Sequence, residues 1–215
     1  SVNFACCDKL TDVGVTALVQ ACTQLTSVNF TCCGQLTDKC KEMLTRQQLG
    51  ALAVSTVAGS GTAGFRDGTG ADAQFKSPFG VAIDGDGCLF VADENNHRIR
   101  KVEPDGTVST VAGSGTAGFR DGTGADAQFK SPFGVAIDGD GCLFVADENN
   151  HRIRKVEPDG TVSTVAGSGT GGFRDGTGAD AQFNCPTGVA IDGDGCLFVA
   201  DLSLIHISEP TRLRS

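Results

Sequence analysis

The sequence predicts an all-β protein built from repeated four-stranded antiparallel sheets, preceded by a short α/β segment. Residues 54–107 recur letter for letter as residues 108–161, a period of 54 residues. A third copy over 162–201 differs from the second at four of its 40 positions. Within each copy the apolar residues alternate or form short runs bounded by Gly, Pro, Asn and Asp, which is typical of strands and turns. Such repetition indicates an array in which each unit buries its apolar face against its neighbours.

Four strands are predicted in the first copy, at residues 80–83, 89–92, 98–102 and 108–111. The Asp- and Gly-rich segments 84–87 and 104–106 have the composition of the tight turns that join antiparallel strands. A four-stranded meander per repeat is typical of a β-propeller blade. The copies supply two whole blades, half of a third and a leading strand at 54–57. The predicted fold is therefore an incomplete β-propeller, whose open blade edges allow self-association.

Three segments of each complete copy carry a family resemblance. In the first copy they are Pro78-Phe79-Gly80-Val81-Ala82-Ile83-Asp84, Leu89-Phe90-Val91-Ala92-Asp93 and Asn96-His97-Arg98-Ile99-Arg100-Lys101-Val102. These segments resemble the NHL repeat, and the resemblance extends over residues 54–201. It implies a propeller that serves as a binding platform.

The first 49 residues have a shorter period. The pattern Asn3-Phe4, Cys6-Cys7, Leu10-Thr11-Asp12 returns 26 positions later. It resembles the cysteine-containing leucine-rich repeat, with one strand and one helix per unit. The predicted domains are leucine-rich repeats over 1–49, an NHL-type propeller over 50–201, and a tail over 202–215.

The tail has no counterpart in the earlier copies. It resembles a translated sequencing adapter, and the alternative is a genuine divergent terminus. We expect it to contribute nothing to function.

Charge and composition exclude several classes of function. Seventeen Lys and Arg against 26 Asp and Glu give a net charge of −9, and a complete repeat carries five basic and eight acidic residues. Nucleic-acid binding is disfavoured, because nucleic-acid-binding proteins usually have a basic surface. No apolar run is long enough for a membrane helix, so no membrane partner is expected. The ten cysteines form no C-x-x-C motif or zinc spacing, which favours a reduced, cytoplasmic setting.

Two motifs suggest ligands but favour structural interpretations. Residues 59–64 read G-x-G-x-x-G, yet the chain continues with Phe65-Arg66-Asp67-Gly68, which does not begin the helix that a dinucleotide site needs. Residues 84–87 are acidic but lack the later ligands of an EF-hand, so they are interpreted as a turn. No cofactor and no metal site is predicted.

The sequence also predicts no catalytic residues. His97 and His151 have no nucleophile at a suitable spacing, and nearly identical copies supply the same side chain repeatedly, whereas an active site combines different ones. The 94–97 connection and the long 58–77 connection are expected at one end of the blade, opposite the 84–87 and 104–106 turns. That end suits a non-catalytic scaffold that binds a protein partner. The candidate partner-binding residues are Phe65, Arg66, Asp67, Asn96, His97, Phe119, Arg120, Asp121, Asn150, His151, Phe173, Arg174 and Asp175.

Three alternatives stay open. Phe65 could fill the gap between blades while Arg66 pairs with Asp67, since buried Phe is commoner than displayed Phe. The chain could be a purely structural array. It could instead be a propeller hydrolase of the gluconolactonase and senescence-marker type, which would hold a divalent metal with Glu, Asn and Asp residues from blades that differ.

Overall fold

The computed structural model describes residues 54–202 and, for the backbone only, three further two-residue strands. By its contacts the chain divides into two compact units, 1–55 and 56–215. In the first unit, β1 (Val2–Asn3) pairs in parallel with β2 (Val28–Asn29), so that residues one 26-residue period apart lie side by side. The rest of the predicted leucine-rich repeat lies outside the described residues.

The second unit consists of antiparallel sheets, one per sequence repeat. The strands of blade 1 are β3 (Gly68–Thr69), β4 (Pro78–Ile83), β5 (Leu89–Asp93), β6 (Arg98–Val102) and β7 (Thr107–Ala112). Those of blade 2 are β8 (Gly122–Thr123), β9 (Pro132–Ile137), β10 (Leu143–Asp147), β11 (Arg152–Val156) and β12 (Thr161–Ala166). Those of blade 3 are β13 (Pro186–Ile191), β14 (Leu197–Asp201) and β15 (Arg212–Leu213). Blade 1 has the strand order β3-β7-β6-β5-β4 and blade 2 the order β8-β12-β11-β10-β9, while the third blade has the order β13-β14-β15.

The predicted four-stranded meander and the all-β propeller class are confirmed. The leading strand predicted at 54–57 is wrong, because these residues form no strand in the structure. Within residues 54–202 the helical elements are short 3₁₀ turns, at Gly70–Asp72, Glu94–Asn96 and their copies. Throughout the described part of the chain, no helix has the length and apolar character needed to span a bilayer. Of the predicted tail, only Leu202 and the backbone of β15 are described, and β15 pairs with β14.

In blades 1 and 2 a fifth strand corrects the predicted irregular connection. Residues 59–77, here called the strap of blade 1, leave the end of the blade near Asn96 and run along its outer edge. Gly68 and Thr69 pair with β7, and the N–H of Gly70 donates to the carbonyl of Gly106 at 2.9 Å. The strap therefore reaches both ends of the blade rather than lying at one of them. The strap of blade 2 is 113–131 and that of blade 3 is 167–185.

Successive blades pack face to face. The face of a blade toward the preceding repeat is called its leading face, and the face toward the following repeat its trailing face. Between blades 1 and 2, the trailing face of Ala92, Ile99 and Ala112 packs on the leading face of Leu143 and Val145, and all five are almost fully buried. The same joint recurs between blades 2 and 3, with Ala146 and Ile153 on Leu197 and Val199.

The 84–87 turn is held by a side chain of its own, as the sequence predicts. The carboxylate Oδ1 of Asp84 accepts hydrogen bonds from the backbone N–H groups of Asp86 at 3.0 Å and Cys88 at 2.8 Å. Cys88 and its copy Cys142 are buried at the start of the second strand. Burial and the hydrogen bond to Glu157 raise the pKa of the Cys142 thiol to about 11, so it is not a reactive thiolate.

Candidate partner-binding surface

In blades 1 and 2 the candidate residues lie where the strap crosses the connection between the second and third strands. We call this the upper end of the blade. The N–H of Glu94 donates to the carbonyl of Ser77 at 3.2 Å, and Nδ2 of Asn96 donates to the carbonyl of Gly64 at 2.8 Å. The predicted proximity of the 94–97 connection and the strap is therefore present in the structure.

A buried arginine fastens the strap to the blade. Arg100 is fully buried on the central strand β6. Its Nη1 donates to Oδ2 of Asp93 at 2.8 Å and to the carbonyl of Gln74 at 3.1 Å. Its Nη2 donates to the carbonyl of Arg66 at 3.0 Å and to Oδ1 of Asp67 at 2.6 Å. One guanidinium thus binds the parts of the strap that lie before and after β3, because its planar donors can serve several acceptors at once.

The second blade repeats this arrangement. Arg154 is fully buried, donates to Asp147 at 2.8 Å and to Asp121 at 2.6 Å, and also reaches the carbonyls of Arg120 and Gln128. The strap is therefore a preorganised surface in both blades, although it is rich in glycine.

A second arginine supports the exposed phenylalanine. The guanidinium of Arg98 lies 3.7 Å from the centroid of the Phe65 ring. Its Nη1 donates to the carbonyl of Asn96 at 3.2 Å, and its Nη2 donates to the carbonyl of Ser114 at 2.8 Å, at the start of the next strap. Burial lowers the pKa of Arg98 from its usual value, with neighbouring Arg100 acting in the same direction. Arg98 therefore joins the Phe65 ring to two connections at the upper end.

The phenylalanine is displayed in every copy. Phe65 is 44% exposed, Phe119 is 43% exposed and Phe173 is 57% exposed. Arg152 stacks on Phe119 at 3.7 Å, as Arg98 does on Phe65. The position equivalent to Arg98 in the third copy is occupied by His206, which lies outside the described residues. Phe65 is thus partly open to solvent rather than enclosed between blades.

The other strap candidates divide between support and display. Nε of Arg66 donates to the carbonyl of Asp72, while the carboxylate of Asp67 pairs with Arg100. The alternative pairing of Arg66 with Asp67 was therefore wrong. Copies of both residues make the same bonds in blade 2, and Arg174 donates to the carbonyl of Asp180 in blade 3. Asp175 is exposed beside it.

One candidate from the 94–97 connection and its copy in blade 2 act inside the fold. Asn96 and Asn150 are buried, and each donates from Nδ2 to a strap carbonyl and to the Asp that pairs with the buried arginine. They support the strap rather than present an amide to solvent.

His97 and His151 connect one blade to the next. His97 has a φ of 52°, in the left-handed region. This conformation places its Nδ1 as the acceptor for the N–H of Ser131 at 3.1 Å, in the strap of blade 2. His151 accepts the N–H of Cys185 at 3.1 Å in the same way. Burial lowers the pKa of His97 below its usual range, so its ring stays neutral and able to accept this bond.

The arginines of the third strand were missed as site residues. The signal was present, because Arg98 and Arg100 flank Ile99 in a strand whose neighbours are apolar. An arginine inside a buried strand needs a carboxylate partner, and Asp93 ends the adjacent strand. Within residues 54–202 no three His, Cys, Asp or Glu side chains are grouped so as to hold a metal ion.

Comparisons with known proteins place the repeats in a family. Residues 75–102 and 129–156 match the family model of the NHL repeat. Over 95 residues the chain is 44% identical to Protein SUPPRESSOR OF QUENCHING 1, chloroplastic, of Arabidopsis thaliana. The aligned segment covers 44% of this chain and 9% of that protein. Over 144 residues it is 35% identical to NHL repeat-containing protein 2 of Bos taurus, covering 60% of this chain and 20% of the relative. The chain thus spans a fifth or less of these two relatives.

The fold has a solved counterpart. An auxiliary nutrient binding protein from Bacteroides thetaiotaomicron superimposes with a TM-score of 0.54 and 25% sequence identity, over 61% of this chain and 36% of that one. Together with the antiparallel blades and the two family-model matches, this similarity gives the identification. Residues 75–102 and 129–156 are NHL repeats, and the described residues form consecutive blades of an NHL-type β-propeller.

Proposed function

We propose that the chain is a non-catalytic binding scaffold, and that the upper ends of its blades bind a protein partner. The observation that carries this proposal is the display of the same phenylalanine in three copies, 43–57% exposed. Large exposed aromatic side chains cost solvation free energy, and aromatic and Arg residues are enriched among the side chains that dominate protein interfaces.

The rigidity of the strap supports the same proposal. Arg100, like its copy in blade 2, donates to backbone carbonyls in two separate parts of the strap. Arg98 and Arg152 stack on the exposed Phe rings. A surface that is already ordered loses less conformational entropy on binding. The repeat of 54 residues offers the partner several equivalent contacts, so weak single contacts can add up through multivalency.

The charge of the repeat favours protein over nucleic acid as the partner. Each complete repeat carries three more acidic than basic residues. Arg98, Arg100 and their copies are engaged with carboxylates, carbonyls or rings, so they do not form a free basic surface. An RNA or DNA partner would need such a surface for its phosphates.

The test uses a displayed peptide library, selected on the 215-residue chain, as the probe. Phe65, Phe119 and Phe173 are then replaced together by Ala, and we expect the selected peptides to bind at least about tenfold more weakly. The matched control replaces Asp86, Asp140 and Asp194 by Ala. These residues are also exposed and present in three copies, but they lie in the turn at the opposite end. Equal losses in both variants, or none in the phenylalanine variant, would refute the proposal.

Catalytic hydrolysis by the purified chain would favour the hydrolase alternative over the binding scaffold. Calcium-dependent lactone hydrolysis by the purified chain, abolished by a chelator, would identify an enzyme. If hydrolysis survives the three phenylalanine substitutions while peptide binding is absent, the upper end is not the functional site.

A further inference from the structure

We infer that the protein partner binds the strap as an extended peptide, which adds a β-strand to an unpaired backbone edge at residues 63–65 and its copies. The inference rests on the proposed function, because it names the form of the partner at the same upper-end surface. It is carried by the backbone groups of that edge rather than by the exposed rings.

The strap of blade 1 folds back on itself as a short hairpin. The N–H of Gly64 donates to the carbonyl of Phe75 at 3.0 Å, and the N–H of Gln74 donates to the carbonyl of Arg66 at 2.9 Å. We call residues 63–66 the first arm of the hairpin and residues 74–75 the second arm. Gly64 and Arg66 thus direct their backbone groups toward the second arm.

The groups on the other side of the first arm belong to Ala63 and Phe65. Along an extended segment, successive residues direct their N–H and C=O groups to opposite sides. Within residues 54–202 the backbone groups of Ala63 and Phe65 make no hydrogen bond, and both residues are exposed. Unpaired groups at positions i and i+2 have the spacing that an incoming strand uses in β-strand addition.

The edge is present in all three copies. In blade 2 the equivalent hairpin bonds leave Ala117 and Phe119 unpaired on the outer side, and in blade 3 they leave Gly171 and Phe173 unpaired. All four residues are exposed. The third copy has Gly171 where the second has Ala117, so the edge tolerates a change of side chain.

This edge is held in place but not protected. The side chain of Asn96 donates to the carbonyl of Gly64 at 2.8 Å, and Arg100 donates to that of Arg66 at 3.0 Å, both from the inner side. Proteins commonly shield an unpaired edge with Pro or charged residues, whereas residues 59–65 contain neither. A strand that pairs here meets an ordered edge, which lowers the entropic cost of binding.

The ring of Phe65 selects one side chain of the partner. Side chains directly opposite each other in a strand pair have Cβ atoms about 4.5–5.5 Å apart, so the residue opposite Phe65 lies against its ring. The guanidinium of Arg98 covers part of the ring at 3.7 Å, and 44% of the residue is exposed. An aromatic or branched aliphatic side chain fits there. The net charge of −9 attracts a basic segment over longer distances.

The first experiment uses the linear peptides selected from the displayed library on the 215-residue chain. Each peptide is resynthesised with a single backbone N-methyl group, moved along the sequence one residue at a time, and its affinity is measured by isothermal titration calorimetry. N-methylation removes one N–H, so we expect affinity to fall about tenfold at every second residue of the bound segment. Residues between them should show little change, because their N–H groups face away from the edge.

The second experiment removes N–H groups from the edge itself. Ala63→Pro and Ala117→Pro are combined, since Pro lacks an N–H and neither of these N–H groups serves the fold. We expect the peptides to bind about tenfold more weakly. Ala63→Ser with Ala117→Ser is the matched control, which keeps both N–H groups and should bind as the native chain does. Urea denaturation of both variants checks that the fold is retained.

The outcomes separate this inference from the proposed function. Peptides that depend on the three phenylalanines but show no alternation on N-methylation would overturn the inference and leave the binding scaffold in place. Undiminished binding to a folded proline variant would do the same. A library that yields no phenylalanine-dependent peptide would refute both.

Discussion

Blades 1 and 2 have the same sequence and different surroundings. Val81 is 59% exposed and Val135 is 7% exposed, although the residues around them are identical letter for letter. By contrast, Arg100 and Arg154 are both fully buried with the same partners. The comparison separates contacts that a blade makes within itself from contacts that it makes with a neighbour.

This separation has an energetic consequence. Contacts within a blade should contribute equally in both copies, because each blade supplies all of the partners. Contacts across a joint should contribute only where a second blade is present, as expected for a linear array in which each repeat is stabilised by itself and by its neighbours.

The largest effect should come from the buried arginine, and it should be the same in both blades. Arg100→Ala and Arg154→Ala are each expected to lower the free energy of unfolding by about 3–5 kcal/mol, because Asp93 or Asp147 would be left buried without its cation. Urea denaturation measures the change.

Lys101→Ala is the control for the arginine variants. Lys101 lies next to Arg100 and pairs with Glu103 at 2.8 Å, but both side chains are partly exposed. Its loss should change stability by less than about 1 kcal/mol. A markedly larger loss for one arginine than for the other would show that the buried pair depends on the neighbouring blade.

The second effect should differ between the blades. Val135→Ala is expected to lower the free energy of unfolding by about 2 kcal/mol, since it opens space in a closed joint. Val81→Ala should change it by less than about 0.5 kcal/mol in the monomeric chain, where the side chain is exposed. Denaturation is measured at a concentration low enough to keep the chain monomeric. Equal losses at the two positions would mean that the leading face of blade 1 is covered within one chain.

Sequence reasoning predicted the strands well because their signals are local. Alternating apolar residues and the turns at 84–87 and 104–106 define four strands, and the structure places β4 to β7 on them. The period of 54 residues then predicts the second blade from the first. Burial did not follow from the period, because it depends on whether a neighbouring blade is present.

The strap and the site were harder to predict. The strap is rich in glycine and shows no apolar alternation, so nothing in residues 59–77 alone indicates order. Its order comes from Arg100, which lies 33 residues beyond Asp67 in the chain. The structural roles of Asn96 and His97 could not be predicted either. The sequence of a polar tetrapeptide between strands does not show whether its side chains face solvent or form hydrogen bonds with the backbone.

The smallest expected effect concerns the histidine between the two compared blades. Nδ1 of His97 accepts the N–H of Ser131 from blade 2, and a protonated ring cannot accept this bond. Burial and the charges of Lys76 and Arg98 lower the pKa of His97, while Glu94 opposes them. As the pH falls, the unfolded chain therefore takes up the proton first. The contribution of the neutral His97 ring to the free energy of unfolding should be complete above the unfolded pKa of about 6.5. It should decline as the pH falls below that value and level off below the lowered pKa of the folded state.

The measurement is the free energy of unfolding at pH 8 and at pH 5, compared between the native chain and His97→Gln. The native chain should lose more stability, by less than about 1 kcal/mol, because one hydrogen bond is lost and the ring is partly exposed to solvent. Carboxylates titrate in both chains and cancel in the difference. Glu94→Gln removes the opposing charge and should enlarge the loss. An identical pH dependence in native chain and His97→Gln would show that His97 does not stabilise the joint between blades 1 and 2.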